Sequence, residues 1–265
     1  MNKLNKNQDI QNLYFSNFFK KVGTFQISEG AGGKDFFNSI LGAACILMLL
    51  LLNPAVQAID VNMLPGGYQI QSGNINFSQN NNILNVNSAS SKAIVNYQSF
   101  NVGQNATINF NLPSSNAAIL NRVNGASASK IYGTINSNGH VFLINPNGIF
   151  FSRTSSVNVG SLTASTLNIE DRDFLNDNYV FRNSGSSSFI INKGRIITKE
   201  GGSVNLFAGA ITNEGSIETP NGSAYLAVGD TIQMTIDNGI VLDVLVSEEL
   251  KQKVQGFKDG ILNTG

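Results

Sequence analysis

The chain has 265 residues, of which only 13% are charged, about half the share usual in a globular domain. Seventeen basic side chains balance seventeen acidic ones, for a formal net charge of zero. The basic excess that neutralises phosphates is missing, and with it the electrostatic case for a nucleic-acid partner.

Composition changes most abruptly near the N-terminus. Residues 40–52 (ILGAACILMLLLL) are thirteen uncharged, mostly apolar positions holding the only cysteine, Cys45. The leader before them carries Lys3, Lys6, Lys20, Lys21 and Lys34 against Asp9, Glu29 and Asp35; Asn53, Pro54 and then AVQA (55–58) follow. A basic leader, a short apolar stretch and an A-x-A-type site describe a long secretory signal peptide over residues 1–58, cleaved after Ala58. Thirteen residues fall short of the ~20 that a membrane-spanning helix needs. Cys45 lies inside the apolar stretch, where a lipoprotein signal would place it after. Cleavage leaves residues 59–265 with 12 basic and 14 acidic side chains, a net −2, and no cysteine. Exported proteins have access to disulfides, and two readings of their absence stand side by side. The fold needs no staples, or a cross-linked chain cannot be threaded unfolded through a second pore.

Short β-prone runs closed by Asn, Gly or Ser follow. In chain order they are INF (75–77), ILNV (83–86), KAIVNY (92–97), ATINFNL (106–112), KIYGTI (130–135) and HVFLI (140–144); such runs read as strands. Many are apolar on both faces or too brief to alternate, as fully buried strands are. Asparagine is abundant, 31 of residues 59–265, and with Gly and Ser it supplies turns and side-chain bonds to the backbone.

The second half repeats itself. INKGRI (191–196) returns as TNEGSI (212–217), 21 residues on, and GGSVNLFAG (201–209) as NGSAYLAVG (221–229), 20 residues on. NGHVFL (138–143) joins the pattern 63 residues before GGSVNL, an interval read as three periods. A period near 20 in a Gly- and Asn-rich β sequence points to a solenoid. Twenty residues make three short strands and three turns, and such coils stack at about 4.8 Å. A single coil buries too few aliphatics, at about 1.5–3 kcal/mol each, to offset about 1–2 kcal/mol of backbone entropy per residue, so several must stack under a cap. A parallel β-helix of about 20 residues per coil is therefore expected over residues 59–245. Residues 246–265 differ: Ser247 as N-cap, Glu248 and Glu249 in a first turn and Gly256 as a stop predict a short helix or a linker, at the start of a passenger continuing beyond it.

Several stretches carry a family resemblance: NYQSFNVG (96–103), AILNRVNG (118–125), SKIYGTINSNGHVFLINPNGIFF (129–151), VNVGSLTAST (157–166) and DFLNDNYVF (173–181). In that order, from about Ile70 to Gly239, they resemble the N-terminal secretion domain of two-partner secretion exoproteins, the filamentous haemagglutinin and haemolysin-like family. Tyr97 departs from the tryptophan of relatives, and family members usually run for many hundreds of residues more. The resemblance implies a right-handed parallel β-helix with an N-terminal cap and extra-helical strands. It implies recognition by a cognate outer-membrane β-barrel transporter with periplasmic POTRA-type domains, export unfolded, and secretion to the medium or surface of a Gram-negative bacterium. Contact with a host cell surface would come through a downstream passenger. Asn145, Pro146, Asn147, Gly148 and Ile149 match the family's hallmark, and Asn121 and Arg122 the stretch that accompanies it; these are the expected recognition or folding residues.

Chemistry is otherwise sparse. His140 is the single histidine, and its nearest acidic neighbour in sequence is Glu170, so no catalytic or zinc set assembles from sequence around it. No nucleophile elbow or phosphate loop occurs after residue 58. Glu170, Asp171, Asp173 and Asp177 raise the question of a Ca²⁺ site, though a solvated loop offset by Arg172 accounts for them better. Arg122 either pairs with a carboxylate inside the domain or faces a partner. Asn145 to Gly148 is first a turn, with Pro fixing φ and Asn-Gly admitting positive φ. No cofactor and no enzymatic activity are expected. The competing reading is a β-helical adhesin module that binds host cells or glycans directly, and a third, a β-helical carbohydrate-active enzyme, lacks a periodic acidic and basic cluster.

Overall fold

The computed structural model describes residues 59–185, 188–236, 240–247 and 260–265. The signal segment and its cleavage site after Ala58 lie outside the described residues, as does most of the helix or linker expected over 246–265.

The chain begins with a cap. Strands β1 (Gln69–Ser72) and β2 (Ile75–Asn80) run antiparallel to β4 (Lys92–Tyr97) and β3 (Ile83–Ser88) respectively. From β3 onward the chain coils, adding β5 (Thr107–Asn111), β6 (Ala118–Val123), β7 (Ser129–Ile131), β8 (Thr134–Ser137), β9 (His140–Ile144), β10 (Ile149–Phe151), β11 (Ser156–Val159) and β12 (Ser161–Ser165). It then leaves the coil through β13 (Asn168–Ile169), a short helix α1 (Asp171–Leu175) and β14 (Tyr179–Arg182). It re-enters with β15 (Phe189–Asn192), β16 (Arg195–Thr198), β17 (Ser203–Ala208), β18 (Ala210–Asn213), β19 (Ser216–Glu218) and β20 (Ser223–Val228). A hairpin, β21 (Thr231–Ile236) and β22 (Ile240–Leu245), leaves again before β23 (Ile261–Asn263).

Three parallel sheets result. The first face stacks β4-β6-β9-β12-β17-β20, the second β7-β10-β15-β18-β23, and the third β3-β5-β8-β11-β16-β19. This is the expected parallel β-helix, with the cap and the extra-helical strands in place. The extra-helical elements form a fourth, antiparallel sheet, β13-β14-β21-β22.

Two details correct the sequence reading. Val141, Leu162 and Val204 are successive partners, so the 63-residue interval is two coils, one enlarged by the β13–β14 excursion, and not three. KIYGTI is two strands broken at a corner, where Gly133 lies against the Gly103 and Ala106 carbonyls without room for a Cβ. In addition, Ile261–Asn263, expected within the terminal linker, pairs in parallel with β18.

Inward and outward residues alternate along the first face, and both sides are buried. Inside, Val95, Asn121, Leu143, Ala164, Leu206 and Leu226 form one column across six coils. Outside, Ile94, Leu120, Phe142 and Phe207 meet Leu167, Ile169, Phe174, Phe181 and Ile232 of the extra-helical elements in a second core. Burial on both sides removes the apolar/polar alternation that marks a half-exposed strand.

Candidate functional site

The Asn145 to Gly148 corner joins β9 to β10 and is latched on every side. Gly148 N–H donates to the Asn145 carbonyl at 3.0 Å, closing a turn with Pro146 second and Gly148 last, positions each residue favours. Asn145 Oδ1 accepts from Asn147 N–H at 2.9 Å, the local bond that makes asparagine a turn former. Asn145 Nδ2 donates to the Ser127 carbonyl at 3.0 Å and to Ser129 Oγ at 2.9 Å, and Asn147 Nδ2 to the Gly125 carbonyl at 2.8 Å, all on the preceding coil. Asn145 is fully buried, as is Ile149, which pairs with Ser129 and Ile190. Of the two Asn-Gly residues expected to admit positive φ, Gly148 alone takes it, at 111°.

At the other end of β9, Asn138 holds the Leu112 peptide from both sides, accepting from its N–H and donating to its carbonyl, each at 2.8 Å. Both Asn-Gly corners of the stretch are thus clamped to the coil before them.

Asn121 and Arg122 point opposite ways. Asn121 enters the aliphatic interior, donates to the Phe142 carbonyl at 3.0 Å, and leaves its Oδ1 without a partner. Arg122 points outward and pairs with Asp171 at 2.5 Å, donating as well to Asn168 Oδ1 at 3.0 Å and the Ile169 carbonyl at 2.5 Å. Its partner is a carboxylate within the domain. Lys92 anchors the other end of α1 through the Phe174 and Leu175 carbonyls and Asp177.

The remaining acidic residues are dispersed: Asp173 lies 3.6 Å from Arg182 and Asp177 2.6 Å from Lys92. No group of three metal-ligating side chains occurs among the described residues. His140 is half-buried, and the desolvation of its ring lowers its pKa to about 3. Its ring stacks on Phe142 at 4.1 Å, and Nε2 lies 2.9 Å from Thr163 Oγ1, which accepts from Asn205 Nδ2 at 3.1 Å. Register places these three residues on neighbouring strands; sequence spacing alone hides the link because the excursion falls between Thr163 and Asn205.

The class defined by this architecture is a capped parallel β-solenoid whose distinctive residues close corners and fasten an extra-helical sheet. The family model of the TPS secretion domain matches residues 63–250, and the chain belongs to that family, the secretion domains of two-partner secretion exoproteins. It is 31% identical over 209 residues to a heme/hemopexin-binding protein of Haemophilus influenzae, covering 76% of this chain and 23% of that protein. A second Haemophilus influenzae protein of the same name is 34% identical over 119 residues, 44% of this chain and 12% of the relative. The chain thus spans a quarter or less of the curated relatives it matches. Among solved structures, the HMW1 secretion domain from Haemophilus influenzae superposes with a TM-score of 0.67 at 31% identity, over 70% of this chain and 50% of that one.

Proposed function

We propose that this domain is the export-targeting segment of a large secreted exoprotein of a Gram-negative bacterium, captured by a cognate outer-membrane transporter through its periplasmic POTRA-type domains before the solenoid forms. The observation that carries this reading is the non-locality of the fold. Within the solenoid each strand pairs with a neighbour 20 or more residues away, as Lys92 does with Ala118 and Ser203 with Ser223. Such topologies close slowly, and the exposed strands of the unclosed chain offer a periplasmic sheet edge a strand to add. The same delay is an aggregation hazard, which prompt handover relieves. Coils that stack outside the cell oppose back-sliding without nucleotide hydrolysis.

In this scheme Asn145, Pro146, Asn147, Gly148 and Ile149 act through folding. The Asn145 carboxamide and the Ile149 side chain are buried once the coil is closed, so a transporter reads these two residues only in the open chain. Asn121 and Arg122 serve the same closure, one inside the coil and one beneath the excursion. The test is expression of residues 1–265 with and without the cognate transporter gene, followed by measurement of the chain in the medium. Transporter-dependent release is expected; equal release without it rejects the proposal.

A further inference from the structure

A groove of about 820 Å³ crosses the outside of the first face. Its floor is one outward column, Lys92, Ala118, His140, Ser161, Ser203 and Ser223, one residue from each of six coils. Five coil steps make it roughly 24 Å long. The opposite wall is Asp177 to Tyr179 together with β21 and β22.

Charge in the groove is already committed. Lys92 and Asp177 are the only charged residues among the described ones that line it. Lys92 Nζ donates to Asp177 Oδ2 at 2.6 Å and to the Leu175 and Phe174 carbonyls at 2.9 and 3.2 Å, while Asp177 Oδ1 accepts from the Tyr179 hydroxyl at 2.6 Å. Among the described residues, an anion finds no free cation here, and a cation no free carboxylate. Hydrogen-bonding capacity, by contrast, is open. The Asn116, Asn178 and Gln233 side chains are exposed, and like the Tyr225 hydroxyl they make no hydrogen bond among the described residues.

We propose that this groove binds an uncharged linear saccharide, its hydroxyls bonded by Asn116, Asn178 and Gln233 and one ring face packed on Tyr225. A carboxamide both donates and accepts, as a sugar hydroxyl does, and a tyrosine offers an apolar ring with a polar tip. Ser161, Ser203 and Ser223 follow one another along half of the floor at the coil spacing, close to the spacing of rings in a linear glycan. An extended peptide is served less well: its backbone needs an unpaired sheet edge, and this floor is a sheet face whose backbone groups are already paired.

The test titrates the full secreted chain with maltohexaose, cellohexaose and chitohexaose, and with sialyllactose and a Ser/Asn-rich peptide, by calorimetry and ligand-observed NMR. At least one neutral hexasaccharide is expected to bind with a dissociation constant of about 1 mM or lower, and Y225A and Q233A each to weaken it about tenfold or more. Asn158→Ala, on the third face, is expected to bind as wild type. Thermal unfolding checks each variant, and if Y225A proves destabilised, Q233A decides. Failure of all three hexasaccharides, tighter binding of the sialylated or peptide probe, or indifference to the deciding substitutions overturns the proposal.

Discussion

Arg122 and Asp171, 49 residues apart in sequence, meet at 2.5 Å and fasten the first extra-helical excursion to the solenoid. The two ends of this pair are unequal. The Arg122 side chain is 13% exposed and donates to Asn168 and Ile169 besides, whereas that of Asp171 is 36% exposed. Hydrogen bonds from a charged group are worth about 1.5–3 kcal/mol, so R122A is expected to lower the unfolding free energy by about 2–3 kcal/mol. D171N removes only the exposed half of the pair and is expected to cost about 1 kcal/mol or less. Urea unfolding of both variants and the double variant checks this; in the R122A background D171N should have almost no effect.

The corner at Asn145 gives a graded series. N145A loses the bonds to Ser127 and Ser129 and leaves the buried Ser129 hydroxyl without its partner, at about 1–3 kcal/mol. N145D keeps the acceptor for Asn147 N–H but turns an oxygen toward the Ser127 carbonyl, and is expected to be no better than alanine. G148A forces a side chain to φ 111° with its Cβ 3.2 Å from the Phe189 carbonyl, about 1–3 kcal/mol of strain. N147A removes an exposed bond to Gly125 and a longer one, 3.2 Å, to Asn145 Oδ1, which keeps the Asn147 N–H as donor, and should stay near wild type. The order of unfolding midpoints should therefore be wild type and N147A above G148A, with N145A and N145D lowest.

Much of this was readable in advance because stacking imposes local rules. Gly160, Gly202 and Gly222 fall at one corner of successive coils, each without room for a Cβ beneath the neighbouring backbone carbonyl. The repeat in the second half of the sequence is the trace of that crowding. The recurring Asn before Gly has a similar cause: Asn192, Asn213 and Asn263 are stacked in register, amide to amide. The excursions were illegible because nothing local in Asn168 or Asp171 says that Arg122 will hold them. Asn121 carries no polar signal of an interior position either, since its column is otherwise aliphatic. The β6 strand has no periodicity of its own to mark it, because AILNRV breaks the apolar run with two polar residues that face opposite sides.

The pH dependence of stability separates two residues. His140 has its pKa pushed down to about 3 from an ordinary 6.5 by burial. Between those values the unfolded chain takes a proton that the folded chain refuses, so stability is full above about pH 6.5 and falls as pH falls. Burial raises the Asp177 pKa, but hydrogen bonds from Lys92 and Tyr179 outweigh it and bring the carboxyl below its ordinary 3.8. Its contribution is present above that value and lost as pH falls through the lower folded one. H140Q should flatten the stability profile between about pH 6.5 and 4, and D177N only below that. An unchanged slope in H140Q would remove the histidine from the account.

The asparagine ladders should differ in weight according to burial. Asn192 is fully buried, donates to Asn213 Oδ1 at 2.7 Å and accepts from Gly194 N–H at 3.1 Å. Asn136, on the third face, is half-buried between Asn109 and Asn158, with bonds of 2.9 and 3.4 Å. N192A strands a buried N–H and is expected to cost about 2–3 kcal/mol, while N136A, whose neighbours turn to water, should cost about 1 kcal/mol or less. Thermal unfolding of the two variants is the measurement; equal losses would show that the ladders act through backbone stacking and not through their amides.

Passage through the outer membrane as an open chain has a sharper test than release alone. Thr107 and Thr134 are register partners on adjacent coils, both half-buried on the third face, and residues at strand-pair spacing lie within disulfide reach. In T107C/T134C, oxidation in the periplasm closes a covalent loop that a chain-wide pore rejects, whether or not the coil has already formed. Release of the double variant through the transporter is expected to fall at least about tenfold, with the protein accumulating in the periplasm, because closing such loops is what oxidising compartments favour. Added reductant should restore release, and T107C and T134C alone should be released as wild type. Release of the oxidised double variant at the wild-type level would mean that the domain crosses folded, and slow coil closure would then play no part in its export.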